Sequence, residues 1–231
     1  MSVATEINCL YYPAPDGLAE TLLVMLPGAG IEAADFCAQG MVAAVHGRGL
    51  AVDIIVVQPD LTLYLEDKVT AALHRAVVEP ALARGCNRIW LLGISLGGMG
   101  ALLYASAHEG AVEGLVLLAP FLGTRGTIAE LARAGGLAGW SAGHSAATIP
   151  EQRMLSWLQV HPARQEAPFL YLGYGLQDRF APAHKILAAF LPPECVAVTP
   201  GGHDWPSWTA LWHELLGRTP FAAGAGRCSG A

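Results

Sequence analysis

The sequence predicts an α/β fold: a mostly parallel β-sheet with helices on both faces and a small cap insertion. Short apolar runs rich in β-branched or aromatic residues alternate with longer segments of helical period. The length of 231 residues suits one such domain. In addition, Ser95 lies between two glycines where an apolar run meets a helical segment, a strand-to-helix junction typical of parallel sheets.

Seven strands and five helices follow from these patterns. The strands are expected at residues 7–12, 21–26, 52–57, 88–93, 114–119, 168–173 and 195–199, the first being an edge strand. The helices are expected at residues 32–46, 66–83, 96–107, 182–190 and 205–216. Asp204 is a suitable N-cap for the last helix, with Pro206 in its first turn, whereas Pro80 weakens the end of the second.

The chain is expected to form a single domain over residues 1–217, followed by a flexible Gly/Ala/Ser tail over residues 218–231. Within the domain, the strand–helix alternation lapses between residues 121 and 167, where a Gly/Ala-rich stretch precedes a helix-like piece at residues 151–160. Excursions of this length in compact domains are usually functional. The segment is therefore predicted to be a cap over the carboxyl ends of the strands, with an irregular surface loop as the alternative.

Composition excludes several classes of protein. Only 14% of residues are charged, the net charge is −6 and basic residues do not cluster, which disfavours nucleic acid as a partner. Apolar stretches fall short of the roughly 20 residues that cross a membrane, and the N-terminus lacks the pattern of a secretory signal, so we expect a cytoplasmic protein. The five cysteines are scattered, which predicts buried free thiols and no metal site.

Ser95, in Gly93-Ile94-Ser95-Leu96-Gly97, is the candidate nucleophile. A sharp turn from strand to helix requires small residues beside the serine, and Gly93 and Gly97 meet that requirement. The turn exposes the hydroxyl above the sheet edge, where attack on an acyl carbon is the expected chemistry. The backbone N–H of Leu96, at the start of the new helix, can stabilise the resulting oxyanion.

A serine hydroxyl is a poor nucleophile at neutral pH and needs an imidazole oriented by a carboxylate. Asp178 and His203 each lie just after a predicted strand, so the chain order is serine, acid, histidine. The predicted triad is therefore Ser95, Asp178 and His203. Asp60 also follows a strand but precedes Ser95, and Asp204 is explained by its capping role.

The other seven histidines lack a glycine-framed position after a terminal strand. His46, His74, His108, His184 and His213 fall on or beside predicted helices, where partly exposed structural histidines are expected. His144 and His161 lie in the predicted cap, where either could contact substrate.

The loop Pro27-Gly28-Ala29-Gly30, after the strand at residues 21–26, can bring its backbone close to the nucleophile. We expect the N–H of Ala29 to be the second oxyanion donor. A plain strand-to-helix turn would also use glycines here, so a purely structural role is the alternative.

The same loop matches a dinucleotide-binding fingerprint, Gly28-x-Gly30-x-x-Ala33. That fingerprint needs an acidic residue about 20 positions later at the end of a strand. Here Asp53 stands near the beginning of the next strand and Gln58 occupies its exit, which disfavours nucleotide binding.

Several residues near these positions could line an acyl pocket or simply pack in the core. The candidate substrate contacts are Gly30, Met99, Phe121, Tyr174 and Trp205. Trp205, Trp208 and Trp212 recur at helical spacing, and most of this stripe is expected to pack against the sheet.

Two segments, Gly93-Ile94-Ser95-Leu96-Gly97-Gly98-Met99-Gly100-Ala101-Leu102 and Gly202-His203-Asp204-Trp205-Pro206-Ser207-Trp208, resemble the α/β-hydrolase superfamily. The branch they are most similar to is that of esterase D-like and tributyrin esterase-like carboxylesterases. The resemblance extends over residues 21–216 and implies an α/β-hydrolase fold and a serine esterase with the triad named above. The chain departs from the superfamily at Pro27-Gly28, where His-Gly is common.

The expected function is therefore hydrolysis of small-molecule carboxylic esters with small to medium apolar acyl groups, through an acyl-enzyme and without a cofactor. An acyltransferase, a thioesterase or a perhydrolase would use the same triad. A hydrolase-like receptor that binds ligand under the cap without turnover is an alternative of a different class.

Overall fold

The structure is a computed structural model and describes residues 7–15, 17, 19–142, 149–161 and 167–223. Its centre is a seven-stranded sheet of order β1-β3-β2-β4-β5-β6-β7, in which only β1 runs antiparallel to its neighbour. The strands are β1 (Asn8–Tyr12), β2 (Thr21–Leu26), β3 (Val52–Gln58), β4 (Arg88–Ile94), β5 (Gly114–Leu118), β6 (Phe169–Gly175) and β7 (Val196–Thr199). The predicted fold class is confirmed.

The central strands β2, β4 and β5 are buried almost along their whole lengths. Strands covered on both faces read as continuous apolar runs, which is why their positions could be predicted from sequence to within a residue or two. Because β2 to β7 are parallel, the chain leaves all of them at the same edge of the sheet, and the functional loops meet there.

Helices cover both faces of the sheet. They are α1 (Ala33–Ala38), α2 (Met41–His46), α3 (Leu61–Leu65), α4 (Val69–Leu73), α5 (Glu79–Ala83), α6 (Leu96–Ala107), α7 (Arg125–Arg133), α8 (Pro150–Val160), α9 (Ala181–Ala188), α10 (Trp205–Leu216) and α11 (Pro220–Ala223). One apolar core joins the sheet to α4, α5, α6, α8 and α9, and another joins its other face to α1, α2 and α10. None of the described helices has the length and apolarity that crossing a membrane requires.

Two helix predictions differ from the structure. The helix predicted at residues 32–46 is two helices, because Gly40 adopts φ of 76°, a left-handed conformation that ends α1 and starts α2 in a new direction. The second predicted helix begins later, at Val69, but continues past Pro80, since a π-helical turn at His74–Val78 connects α4 to α5. Widened turns of this kind accommodate a residue that cannot donate a backbone hydrogen bond.

The predicted cap segment contains α7 and α8, and its apolar residues join the core on the α6 face of the sheet. The Arg153 guanidinium of α8 forms a two-pronged ion pair with Asp67, at 2.7 and 3.0 Å. The Gln159 amide donates to the carbonyls of Leu137 and Trp140. The Arg153–Asp67 ion pair and the apolar contacts thus attach the insertion to the domain, whereas the Gln159 bonds connect α8 to the loop before it within the insertion. His144 lies outside the described residues.

The expectation that the cysteines are buried is wrong for two of them. Cys86 and Cys195 are buried, whereas Cys9 and Cys37 are exposed. Cys9 belongs to the edge strand β1 and Cys37 to α1, and both positions face solvent because no further layer covers them. Cys228 lies outside the described residues.

The chain remains ordered beyond the predicted domain boundary at residue 217. The Arg218 guanidinium donates to the carbonyls of Glu194 and Val196, at 3.0 and 2.9 Å. The ring of Phe221 packs edge-on against the buried Trp90, with 4.9 Å between ring centroids. Residues 218–221 thus contact the domain and do not belong to the flexible tail predicted from residue 218. The sequence analysis missed this because the Phe221 ring packs against a residue far away in the chain.

We expect Phe221→Ala to lower the free energy of unfolding by about 1–2 kcal/mol, since the ring is partly buried and its contact with Trp90 would be lost. Urea unfolding followed by tryptophan fluorescence measures the change. Leu65→Ala is the matched control: Leu65 is 77% exposed, so this truncation should change stability by less than about 0.5 kcal/mol. Equal stabilities of the two variants would show that the Phe221 contact contributes nothing.

Candidate active site

Ser95 occupies a tight turn between β4 and α6. Its backbone has φ of 52° and ψ of −113°, a conformation that residues with side chains rarely adopt. A methyl group added at Gly97 would lie 2.1 Å from the Leu26 carbonyl oxygen, and one at Gly93 would lie 2.3 Å from that of Gly97. The glycines around Ser95 are therefore required by close backbone approach, as the sequence pattern predicted.

Backbone hydrogen bonds hold this strained turn. The Ser95 N–H donates to the Leu118 carbonyl at the end of β5, at 3.0 Å, and the Ser95 carbonyl accepts from the Phe121 N–H at 2.8 Å. The same carbonyl accepts from Gly98 and Met99 in the first turn of α6. The serine is thus fixed from its own helix and from the neighbouring strand's exit loop.

The structure brings the three predicted catalytic residues together. His203 Nε2 lies 3.0 Å from Ser95 Oγ, and His203 Nδ1 lies 2.7 Å from Asp178 Oδ2. Because an ionised carboxylate only accepts hydrogen bonds, Nδ1 carries the proton and Nε2 is free to accept from the serine hydroxyl. This is the arrangement in which an imidazole can remove a proton from serine.

Asp178 is oriented by both of its carboxylate oxygens. Oδ2 accepts from His203, and Oδ1 accepts from the Phe180 N–H at 2.8 Å. Burial raises the pKa of Asp178, but the hydrogen bonds from His203 and the Phe180 N–H, and the positive charges that His203 and His184 carry when protonated, outweigh it. The pKa therefore lies below its usual value. The carboxylate therefore stays ionised at neutral pH and keeps the imidazole in one tautomer.

The loops that carry Asp178 and His203 are bonded to each other. The Leu176 N–H donates to the Thr199 carbonyl at 2.8 Å, and the Gln177 N–H donates to that of Gly201 at 3.0 Å. Pairing of β6 with β7 thus continues past the strand ends into the loops. This continuation explains how Asp178 and His203, 25 residues apart in the chain, are held within hydrogen-bond distance.

Aromatic rings surround the imidazole. Phe180 and Trp208 both pack perpendicular to the His203 ring, with centroids 5.2 and 5.1 Å away, and Phe121 packs edge-on against Phe180 at 5.9 Å. The Arg179 guanidinium lies over the Phe180 ring, 4.8 Å from its centroid. Phe180 and Arg179 were not singled out from the sequence, although their position directly after Asp178 was a usable signal.

Both predicted oxyanion donors lie beside the nucleophile in the chain or in space. Leu96 is the first residue of α6, and the N–H groups of a helix's first turn have no partner within the helix. A methyl group at Gly28 would lie 3.2 Å from Ser95 Cβ, so the loop containing Ala29 runs directly alongside the serine. Gly30 adopts φ of 76° in the turn closed by the Ile31 N–H and the Gly28 carbonyl.

The two residues weighed for a nucleotide site have other roles. Asp53 is buried and accepts from the Tyr11 hydroxyl at 2.8 Å and the Ala14 N–H at 2.9 Å, so it secures the N-terminal strand. Gln58, at the exit of β3, accepts from the Ala33 N–H and donates to the Ile31 carbonyl at 3.3 Å. Its amide thus attaches the glycine loop and the start of α1 to the sheet.

The remaining candidate substrate contacts occupy different environments. Phe121 and Trp205 are partly exposed, whereas Met99 and Tyr174 are largely buried in the core on the α6 face. Trp205 packs edge-on against Trp208, at 5.3 Å between centroids. The tryptophan that lies against the His203 imidazole is Trp208, one helical turn further along α10.

His184 differs from the partly exposed structural histidine expected at its position. It is fully buried in α9, and its Nε2 lies 3.0 Å from the Pro120 carbonyl oxygen, so Nε2 carries the proton. Burial lowers the pKa of His184, partly opposed by the charge of Asp178 and the bond to Pro120. A neutral histidine thus supports the β5 exit loop next to Phe121. Buried His161, at the end of α8, packs beside Trp157.

Together, the sheet topology and this site define an α/β-hydrolase of the serine hydrolase class. The sequence matches the family model described as serine aminopeptidase, S33 (Hydrolase_4), over residues 37–182. This match covers more than half of the chain, and the protein belongs to that family. No curated protein sequence matches significantly.

Solved structures with the same fold include several hydrolases. S-formylglutathione hydrolase (FrmB) from Staphylococcus aureus aligns with a TM-score of 0.60 and 13% identity, over 91% of this chain and 95% of that one. Est1E from Butyrivibrio proteoclasticus aligns with a TM-score of 0.59 and 18% identity, over 93% of each chain. The esterase Est2 from Thermogutta terrifontis, with butyrate bound, aligns with a TM-score of 0.59 and 17% identity, over 95% of this chain and 92% of that one. At these identities the likeness establishes the fold.

We expect Gln58→Leu to lower kcat for an ester substrate by about 10- to 100-fold with little change in KM. Without the amide, the loop that carries Ala29 is no longer attached at Ile31 and Ala33, and misplaced oxyanion donors weaken transition-state binding in particular. Steady-state kinetics and a thermal melt measure activity and folding separately. Gln39→Leu, at an exposed position after α1, is the matched control, and equal kcat in both variants would contradict the assigned role.

We expect the free energy of unfolding to fall as pH drops below about 6.5. The pKa of His184 is lower in the folded state than its usual value of 6.5, so below that pH the unfolded chain binds a proton that the folded chain does not. One such group contributes at most about 1.4 kcal/mol per pH unit. Urea unfolding at pH 7.5, 6.5 and 5.5 measures the dependence.

His184→Gln keeps an amide N–H for the Pro120 carbonyl but does not titrate, so its stability should depend less on pH. His108, whose pKa is also lowered by burial and by the charge of His74, contributes the same slope to both proteins. Parallel pH profiles for the two proteins would exclude His184 as the cause.

Proposed function

We propose that this protein is a serine esterase that hydrolyses small-molecule carboxylic esters through an acyl-enzyme intermediate. The observation that carries the proposal is the continuous hydrogen-bond path from Ser95 Oγ through His203 to Asp178, at 3.0 and 2.7 Å. Ser95 has a strained backbone and lies at the carboxyl end of a parallel strand, which is where this chemistry places its nucleophile.

In the first half of the reaction, Ser95 Oγ attacks the ester carbonyl carbon and its proton passes to His203 Nε2. The carbonyl oxygen becomes an oxyanion, which the backbone N–H groups of Leu96 and Ala29 stabilise. Asp178 stabilises the imidazolium without taking its proton. The imidazolium then donates the proton to the departing alkoxide oxygen, the carbon–oxygen bond breaks, and the alcohol leaves an acyl-enzyme.

In the second half, water enters the place that the alcohol has left. His203 Nε2 removes a proton from this water as its oxygen attacks the acyl carbon, and the oxyanion forms again in the same place. When it collapses, the bond to Ser95 Oγ breaks and the imidazolium returns a proton to that oxygen. The products are a carboxylic acid and an alcohol, and the enzyme is restored.

The surroundings of the triad favour an acyl group of small to medium size and mainly apolar character. Phe180 and Trp208 pack against the imidazole, and Phe121 packs against Phe180. Aromatic walls with a few oriented polar groups are typical of sites for small organic ligands.

Ester hydrolysis is supported over aminopeptidase activity, although the family description includes the latter. An aminopeptidase binds the ammonium end of a peptide close to the reacting carbonyl. The Arg179 guanidinium, stacked on the ring that touches His203, would repel that group. Of the fold neighbours described above, one is named as an S-formylglutathione hydrolase and another as an esterase.

We expect Ser95→Ala to lower kcat/KM for 4-nitrophenyl butyrate at least about 10⁴-fold and to abolish labelling by a fluorophosphonate probe, because the nucleophile is removed. A chain-length series of 4-nitrophenyl esters locates the preferred acyl group. Ser106→Ala removes a hydroxyl from the same helix, where it bonds to the Leu103 carbonyl at 2.8 Å, and should keep activity and labelling.

Turnover that survives in Ser95→Ala would refute the mechanism. Parallel assays with an acyl thioester, with added alcohol acceptors and with an aminoacyl 4-nitroanilide separate ester hydrolysis from thioester hydrolysis, acyl transfer and peptidase activity. Wild-type protein that reacts with neither the esters nor the probe would instead support a ligand receptor.

A further inference from the structure

The reaction described above does not use one positive charge near His203, that of Arg179. Asp178 and Phe180 both participate in the site, through the hydrogen bonds and ring contacts of His203. Arg179, between them in the chain, is exposed and directs its guanidinium over the Phe180 ring, 4.8 Å from the centroid. The cation and the imidazole therefore both contact the Phe180 ring.

The contact with Phe180 limits where the guanidinium can go. A cation over an aromatic face is attracted by the ring, by about 0.5–1 kcal/mol at an exposed site. Phe180 itself is held between His203 and Phe121, with centroid distances of 5.2 and 5.9 Å. The Arg179 guanidinium is thus kept close to Phe180.

Within the described residues, no carboxylate neutralises Arg179. The adjacent Asp178 carboxylate is turned inward, with a fully buried side chain, and is bonded to His203 and Phe180. By contrast, Arg88, Arg153 and Arg218 are each paired with a carboxylate. The Arg179 donors are therefore exposed beside Phe180 and are available to a ligand.

A guanidinium offers a planar set of N–H donors that matches the two oxygens of a carboxylate. A substrate bound at Ser95 and lying along Phe180 would bring the far end of its chain to these donors. We propose that Arg179 forms an anion-binding subsite and that the preferred ester carries a carboxylate at the far end of an otherwise apolar acyl chain. This inference rests on the proposed esterase function and specifies its substrate class.

Two pairs of probes test the subsite. Mono-(4-nitrophenyl) glutarate and 4-nitrophenyl pentanoate share a leaving group and acyl length but differ in the terminal carboxylate. A second pair, 4-acetoxybenzoate and phenyl acetate, places the carboxylate on the alcohol side. We expect Arg179→Gln to lower the kcat/KM ratio of glutarate to pentanoate about fivefold, mainly through KM, and to leave the second pair's ratio unchanged.

Raising the salt concentration should lower the glutarate-to-pentanoate ratio of the wild type but not that of Arg179→Gln, because an exposed ion pair is screened. Arg75→Gln, an exposed arginine on the π-helical turn, is the matched control and should resemble the wild type. Melting temperatures confirm that all variants are folded.

Equal losses for both acyl esters in Arg179→Gln would show that Arg179 only supports Phe180 and His203, which would overturn the proposal. An unchanged ratio, or a change confined to the alcohol-side pair, would overturn it as well. Failure of the esterase function itself is distinguishable, because pentanoate would then not be turned over by the wild type, or its turnover would persist in Ser95→Ala.

Discussion

The site depends on holding one residue in a conformation that its side chain disfavours. Ser95 has φ of 52°, at a cost of about 1–3 kcal/mol for such a residue. Hydrogen bonds to Leu118 and from Phe121 fix its peptide groups against β5, and glycines allow α6 to approach β2 closely. The 3.0 Å contact between the Ser95 hydroxyl and His203 depends on this conformation of the turn.

The parallel sheet brings the other parts to this serine. Asp178 and His203 follow β6 and β7, and the bonds from Leu176 to Thr199 and from Gln177 to Gly201 extend the pairing of those strands into their loops. His203 is therefore positioned by backbone structure as well as by Asp178. Phe180 links the two loops again, since its N–H binds Asp178 and its ring packs on His203.

The glycine loop shows how one sequence pattern can serve different chemistry. Gly28-x-Gly30-x-x-Ala33 also fits a turn that cradles a pyrophosphate, where the next strand would end in an acidic residue. In this protein that strand ends in Gln58, whose neutral amide binds both the Ile31 carbonyl and the Ala33 N–H. A carboxylate could accept from the N–H but would repel the carbonyl, so the amide suits a loop that must be held close to Ser95.

The sequence by itself determined the strands, the glycine-flanked turn at Ser95 and the order of Ser95, Asp178 and His203 along the chain. Buried parallel strands are continuous apolar runs, and Gly93 and Gly97 are needed for a steric reason that acts over a few residues. Local patterns did not reveal the break at Gly40, the exposure of Cys9 and Cys37, or the docking of Phe221 on Trp90.

Only the tertiary structure decided which side chains surround His203. Trp208 rather than Trp205 contacts the imidazole, His184 is fully buried beneath Pro120, and Gln58 reaches the loop before α1. These contacts join residues far apart in the chain, and they depend on helix rotation and loop packing that no short-range pattern encodes. The position of Arg179 near the site was likewise visible only in the tertiary structure, since it depends on the contact with the Phe180 ring.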